Sequence, residues 1–145
     1  MKAFRFSLDR VLEWRASQLL VEEAELRKLT EHAASLELTA ASLEQSRVAA
    51  EEKVRNSTHL DGWDLKALGA YRRQIDKQRE SLQARLKEAL KKVVVQREKL
   101  LVARREHRLV EKLRERRLVE WTAESNREIE QNAADSYLAK FNREK

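Results

Sequence analysis

The chain has 145 residues, 39% of them charged, with no proline, no cysteine and only two glycines, Gly62 and Gly69. The lack of cysteine excludes a disulfide framework and a cysteine metal site, and two glycines are too few for a phosphate-cradling glycine loop. Helix interiors reject glycine and proline, so this composition permits very long helices, and its wealth of Ala, Glu, Lys, Leu and Arg points to a coiled coil.

The formal charge of +6 is unevenly spread. Residues 1–60 carry nine basic against ten acidic side chains, and residues 61–145 carry 22 against 15. Arg85–Arg117 alone carries 13 against 5, a surplus of eight. Such a stripe fits an acidic protein surface, an anionic membrane or nucleic acid. No apolar run approaches the roughly 20 residues that span a bilayer. Lys2, Arg5 and Arg10 are not followed by a continuous apolar stretch, so no signal peptide is read and the cytoplasm is the expected compartment.

In chain order, Met1–Arg5 is a short lead-in, and Ser7 is positioned to cap a helix starting near Leu8, with Phe4 and Phe6 at its margin. Asp9 and Glu13 fall in the early turns, where carboxylates complement the helix dipole. An apolar seam follows at helical spacing: Leu8, Leu12, Leu19, Leu26, Leu29, Ala33, Leu36, Ala40, Leu43, Ala50 and Val54. Arg15 and Glu22 interrupt it. The turn-forming cluster Asn56-Ser57-Thr58-His59-Leu60-Asp61-Gly62 ends this helix, and Asp61 is a cap for the next. The second seam reads Leu68, Tyr71, Ile75, Leu82, Leu86, Ala89, Val93, Leu100, Ala103 and Val110, interrupted at Gln96 and His107. Beyond Leu118 the pattern thins to Trp121, Ile129, Tyr137, Leu138 and Phe141.

One turn between two long seams predicts an all-α fold: two long helices in an antiparallel coiled-coil hairpin with a C-terminal helical overhang. It is read as a single helical-hairpin domain, with arm one at about 5–56, the turn at about 57–63 and arm two at about 64–140. The expected register sets Leu36 against Leu86, Leu29 against Val93, Leu19 against Ala103 and Leu12 against Val110. Trp14 and Trp63 are expected to pack on the neighbouring helix.

Catalytic signals are missing. His107 and Glu111 stand one turn apart, but two ligands make no metal site, and paired helices offer carboxylates no pocket to shift their pKa values. No enzyme, no cofactor and no small-molecule substrate are expected. The candidate partner-binding residues lie in the basic run and beside it: Arg104, Arg105, Arg108, Lys112, Leu113, Arg114, Arg116 and Arg117, with Trp121 as an apolar anchor. Tyr71 and Ile75, one turn apart near the bend, form a second candidate patch. Nucleic acid would use similar charge, but no reading module is present.

The N-terminal string Phe4-Arg5-Phe6-Ser7-Leu8-Asp9-Arg10-Val11-Leu12-Glu13-Trp14-Arg15, followed by Glu23-Ala24-Glu25-Leu26, resembles the flagellar export protein FliJ family. So do Ala103-Arg104-Arg105-Glu106 and Val110-Glu111-Lys112-Leu113-Arg114-Glu115-Arg116-Arg117, and further on Glu130-Gln131 with Asp135. Ser136 departs from the family's second acid at that last element. The length, the single turn and the spacing of both arms agree across nearly the whole chain.

The resemblance implies a non-enzymatic component of the bacterial flagellar type III protein export apparatus. Such proteins look like the central stalk of rotary ATPases, with both termini directed into a hexameric export ATPase. They also contact a membrane export gate protein and the export chaperones. By the same resemblance the protein sits in the cytoplasm, peripherally associated with the cytoplasmic face of the inner membrane. The alternatives are the stalk protein of a virulence-type injectisome and a basic nucleic-acid-binding coiled coil.

Overall fold

The structure is a computed structural model that describes residues 2–145. It is all-α, with two long helices, α1 (Asp9–Arg55) and α2 (Gly62–Arg143), and no strand among the described residues. Each helix opens on an acid, Asp9 or Asp64 in its first turn, and closes on bases, Lys53 with Arg55 or Lys140 with Arg143. These are the signs the helix dipole favours. The chain folds into two compact units: a turn-bearing unit, Val21–Leu100, and a terminal unit made of the chain up to Leu20 with Leu101–Lys145.

In the turn-bearing unit the two helices pack antiparallel along their seams. Ala33 on α1 and Ile75, Ala89, Val93 and Leu100 on α2 are buried, with the other seam residues half-buried around them. A helix packed on one neighbour only keeps its flanks wet, so few side chains become fully enclosed. Each enclosed Val, Leu or Ile still contributes about 1.5–3 kcal/mol. Cross-helix ion pairs mark the register. Arg79 reaches Glu44, and Arg72 Nε donates to Glu51 at 2.9 Å. Arg47 links the same two carboxylates along α1, lying 3.1 Å from Glu51. The result is a ladder in which three guanidiniums and two carboxylates alternate. The hydrogen bond from Arg47, with the charges of Arg47 and Arg79, holds the Glu44 carboxyl below its ordinary value.

The turn starts where α1 loses its partners: the Ser57 hydroxyl donates to the His59 carbonyl at 3.0 Å. Asp61 is the N-cap of α2. Its carbonyl accepts from the amides of Asp64 and Leu65 at 3.1 and 3.3 Å, and its own N–H donates to the Asp64 carboxylate at 3.4 Å. That is the reciprocal half of a capping box, made by an acid at the third helical position. Beside it Trp63 is 76% exposed, and Trp14 in the terminal unit is also exposed, so neither is buried against a neighbouring helix. Trp63 is the second residue of α2, where the first turn carries it outside the seam defined by Leu68, Tyr71 and Ile75. Lys66 lies 5.6 Å over its ring.

In the terminal unit the same antiparallel pairing continues with Leu12 and Leu19 on α1 and Ala103 and Val110 on α2 half-buried. Arg15 bonds Glu106 across the pair. The lead-in is not helical. Phe6 is buried, and the Asp9 amide donates to its carbonyl at 3.2 Å, so the segment turns sharply into α1. Phe4 packs its ring against Trp121, centroids 6.0 Å apart and tilted by 58°. Past Ser125 every residue of α2 is exposed, including Ile129, Tyr137, Leu138 and Phe141. This is the C-terminal overhang. Among the described residues no helix is long and apolar enough to cross a membrane.

Candidate partner-binding face

Local geometry sorts the basic run of α2 into residues that the chain itself uses and residues that it leaves bare. Arg114 projects to the α1 side. Its Nε lies 3.8 Å from the Asp9 carboxylate and its guanidinium 5.6 Å over the Phe4 ring. It braces the lead-in and is a poor candidate for an outside contact. Arg108 donates to Glu111 at 3.1 Å and to Glu115 at 3.4 Å, and the Glu111 hydrogen bond, helped by Glu115, raises its pKa further. Arg117 donates to Glu120 at 3.2 Å. Arg104 is not without a partner either.

Arg105, Lys112 and Arg116 are exposed and, among the described residues, in no ion pair. They sit at steps of seven and four, so they share one face of α2. Leu109 lies between them in that row and Val102 and Val119 flank them, all more than half exposed. The row Val102, Arg105, Leu109, Lys112, Arg116, Val119 advances by three and four throughout, and it lies on the far side of α2 from Ala103, His107 and Val110. Leu101 adjoins it, half exposed. Among the described residues three acids adjoin the row: Glu98 one turn before Val102, and Glu115 and Glu120 at its far end, already accepting from Arg108 and Arg117.

The remaining site residues fall elsewhere. Leu113 is at the margin of exposure on the flank of α2. Trp121 is half-buried against Phe4, so its ring is partly spent inside the chain and is not a bare anchor. Ile75 is 1% exposed and belongs to the core of the turn-bearing unit; no partner can touch it without opening the helix pair. Tyr71 is half-buried and lines a cleft of about 510 Å³ at the turn with Ala50, Val54, Leu60, Ala67 and Leu68. Sequence reasoning missed the bareness of Trp63 beside that cleft. Its place one residue after Gly62, off the three-four spacing of the seam, was the signal available. His107 lies 3.9 Å from Glu111, and among the described residues no three potential ligands converge on a metal site.

No family model, no curated protein and no solved structure matches the chain.

Proposed function

We propose that the protein is a non-enzymatic, stalk-like component of the bacterial flagellar type III export apparatus. It binds the hexameric export ATPase and couples it to the membrane export gate protein and the export chaperones. On this reading it works in the cytoplasm, peripherally associated with the inner membrane, and hydrolyses nothing itself. The observation that carries it is the make-up of the terminal unit. The first 20 residues and the last 45 belong to one antiparallel unit, and its second helix continues unpaired past Ser125 with a bare cationic row before it. That is the arrangement expected of a helix pair whose termini enter a ring, and the motifs that resemble the FliJ family lie mostly in this unit.

The test is binding to the purified export ATPase. Charge reversal of Arg105 with Lys112 and Arg116 should weaken the complex by about tenfold or more and make it less sensitive to salt, because these cations have no internal partner to satisfy. Reversal at Arg108 and Arg117, already paired, should do less. The isolated chain should neither bind ATP stoichiometrically in calorimetry nor hydrolyse it. Wild-type affinity of the triple variant at low salt would sink the reading. The same bare row also favours a second reading, a nucleic-acid-binding coiled coil, whose lysate partners would be lost on nuclease treatment. An injectisome stalk would be distinguished by gene neighbourhood.

A further inference from the structure

We infer that the outer face of α2 in the terminal unit, the row from Val102 to Val119, is a docking face for an acidic amphipathic helix supplied by a partner protein. The inference rests on the proposed function for who supplies that helix, and on the residues alone for its chemistry.

The spacing carries the first part. A helix that touches only one neighbour should be polar on its far side. Here the far side repeats the three-four spacing of a packing seam and carries Leu101, Val102, Leu109 and Val119 in the open. Val102 and Leu109 are one heptad apart, the interval at which side chains of a second helix meet a first. The row covers about 25 Å at 1.5 Å per residue, enough for a partner helix of four to five turns. α1 does not cover it, since α1 packs on the opposite side against Ala103, His107 and Val110.

The charges carry the second part. Arg105 stands between Val102 and Leu109, and Lys112 with Arg116 stands between Leu109 and Val119. Apolar knobs alternate with unpaired cations along one line. A helix with apolar residues at its own seam positions and carboxylates beside them answers both features at once. Lipid fits less well. A helix lying in a bilayer interface gathers its apolar side chains on one side and sets its cations at the rim, where they reach the headgroups. This row would carry three cations into the apolar layer. Nucleic acid would meet the cations, but Val102, Leu109 and Val119 would gain little against phosphates.

The experiment uses the full chain and a synthetic peptide of about 21 residues, with leucine at the two seam positions of each heptad and glutamate flanking them. Glutamates on both flanks keep the peptide from pairing with itself. The expected result is saturable binding with a gain of helical ellipticity. It should fall about tenfold or more both in Arg105→Glu/Lys112→Glu/Arg116→Glu and in Val102→Ser/Leu109→Ser/Val119→Ser. Arg73→Glu/Lys77→Glu/Lys87→Glu removes the same charge from exposed positions of the turn-bearing unit and should leave affinity within about twofold. All three variants should keep wild-type ellipticity when free, because every changed side chain is exposed. An equal loss in the control triple, or wild-type affinity in the serine triple, would overturn the inference by reducing it to net charge. Phosphatidylglycerol vesicles and a duplex DNA run in parallel. Binding of either that drops in the glutamate triple, with no peptide binding, would also overturn it. Peptide binding without any export ATPase binding leaves the docking face standing and removes the stalk. ATPase binding that ignores the serine triple, with no peptide binding, does the reverse.

Discussion

The side-chain amide of Gln96 donates to the Glu22 carboxylate and, at 3.2 Å, to the Glu22 backbone carbonyl. Both residues interrupt an apolar seam, one on each helix, and Gln96 is only 5% exposed. The interruptions answer each other: no buried side-chain nitrogen or oxygen among the described residues lacks a partner. An unmatched amide at this depth would cost about 1–3 kcal/mol. Any slip of register that separates Gln96 from Glu22 therefore carries that penalty.

Glu22→Ala should destabilise the protein by about 1–3 kcal/mol through the stranded Gln96 amide. Replacing both residues by leucine should recover most of that loss, because apolar surface then meets apolar surface. Thermal melts of the two single variants and the double variant close the cycle. Spin labels at positions 29 and 93 should be close in the wild type and acquire a second distance in the leucine pair, where the buried polar pair no longer holds the register. A single sharp distance in the double variant would show that the apolar seam fixes the register unaided.

The ladder around Glu44 predicts an acid sensitivity. Hydrogen bonding from Arg47 and the charges of Arg47 and Arg79 depress the Glu44 pKa below its ordinary 4.5. A depressed carboxyl stabilises the fold above its unfolded pKa, and that contribution disappears as pH falls through the folded value. Stability should thus decline below about pH 4.5, and Glu44→Gln should show a flatter profile in that range. Melting temperatures measured from pH 7 down to pH 3 decide it; parallel profiles would show that the ladder contributes nothing.

Gly69 is a helix-interior glycine with an ordinary backbone, and a Cβ there would meet nothing within 4 Å. Gly69→Ala should stabilise the turn-bearing unit by about 1 kcal/mol from helix propensity alone. Denaturant melts and amide exchange between residues 62 and 72 report it. A destabilised variant would mean that the glycine serves the neighbouring cleft at Tyr71.

The three tryptophans should separate by environment. With the other two replaced by phenylalanine, Trp63 should emit at long wavelength and be quenched freely by acrylamide, as befits a ring 76% exposed. Trp121, packed against the tilted Phe4 ring, should emit at shorter wavelength and shift to the red in Phe4→Ala. Indistinguishable spectra would contradict the packing of the lead-in.

The sequence by itself determined that the chain is helical, where it turns and which stripes pair. Periodicity of apolar residues, the scarcity of helix breakers and one cluster of turn formers are local properties, and helices form from local rules. The break at Arg55 and the restart at Gly62 lie within a residue or two of expectation for that reason. Tertiary structure alone decided which polar side chains are partnered, because that depends on what the opposite helix presents at each level. Arg114 faces Asp9 and Phe4 while Arg116 is exposed with no ion-pair partner among the described residues, although both read alike in the basic run. Phe6 was legible as apolar but not as buried, since it lies in a non-helical lead-in whose path the helical spacing does not specify. Trp63 is bare for the same reason, whereas Ile75 is enclosed as its place in the second seam leads one to expect, not open as a docking patch. One residue's step around a helix is about 100°, and that angle, relative to a neighbour the local sequence does not specify, separates a core side chain from a bare one.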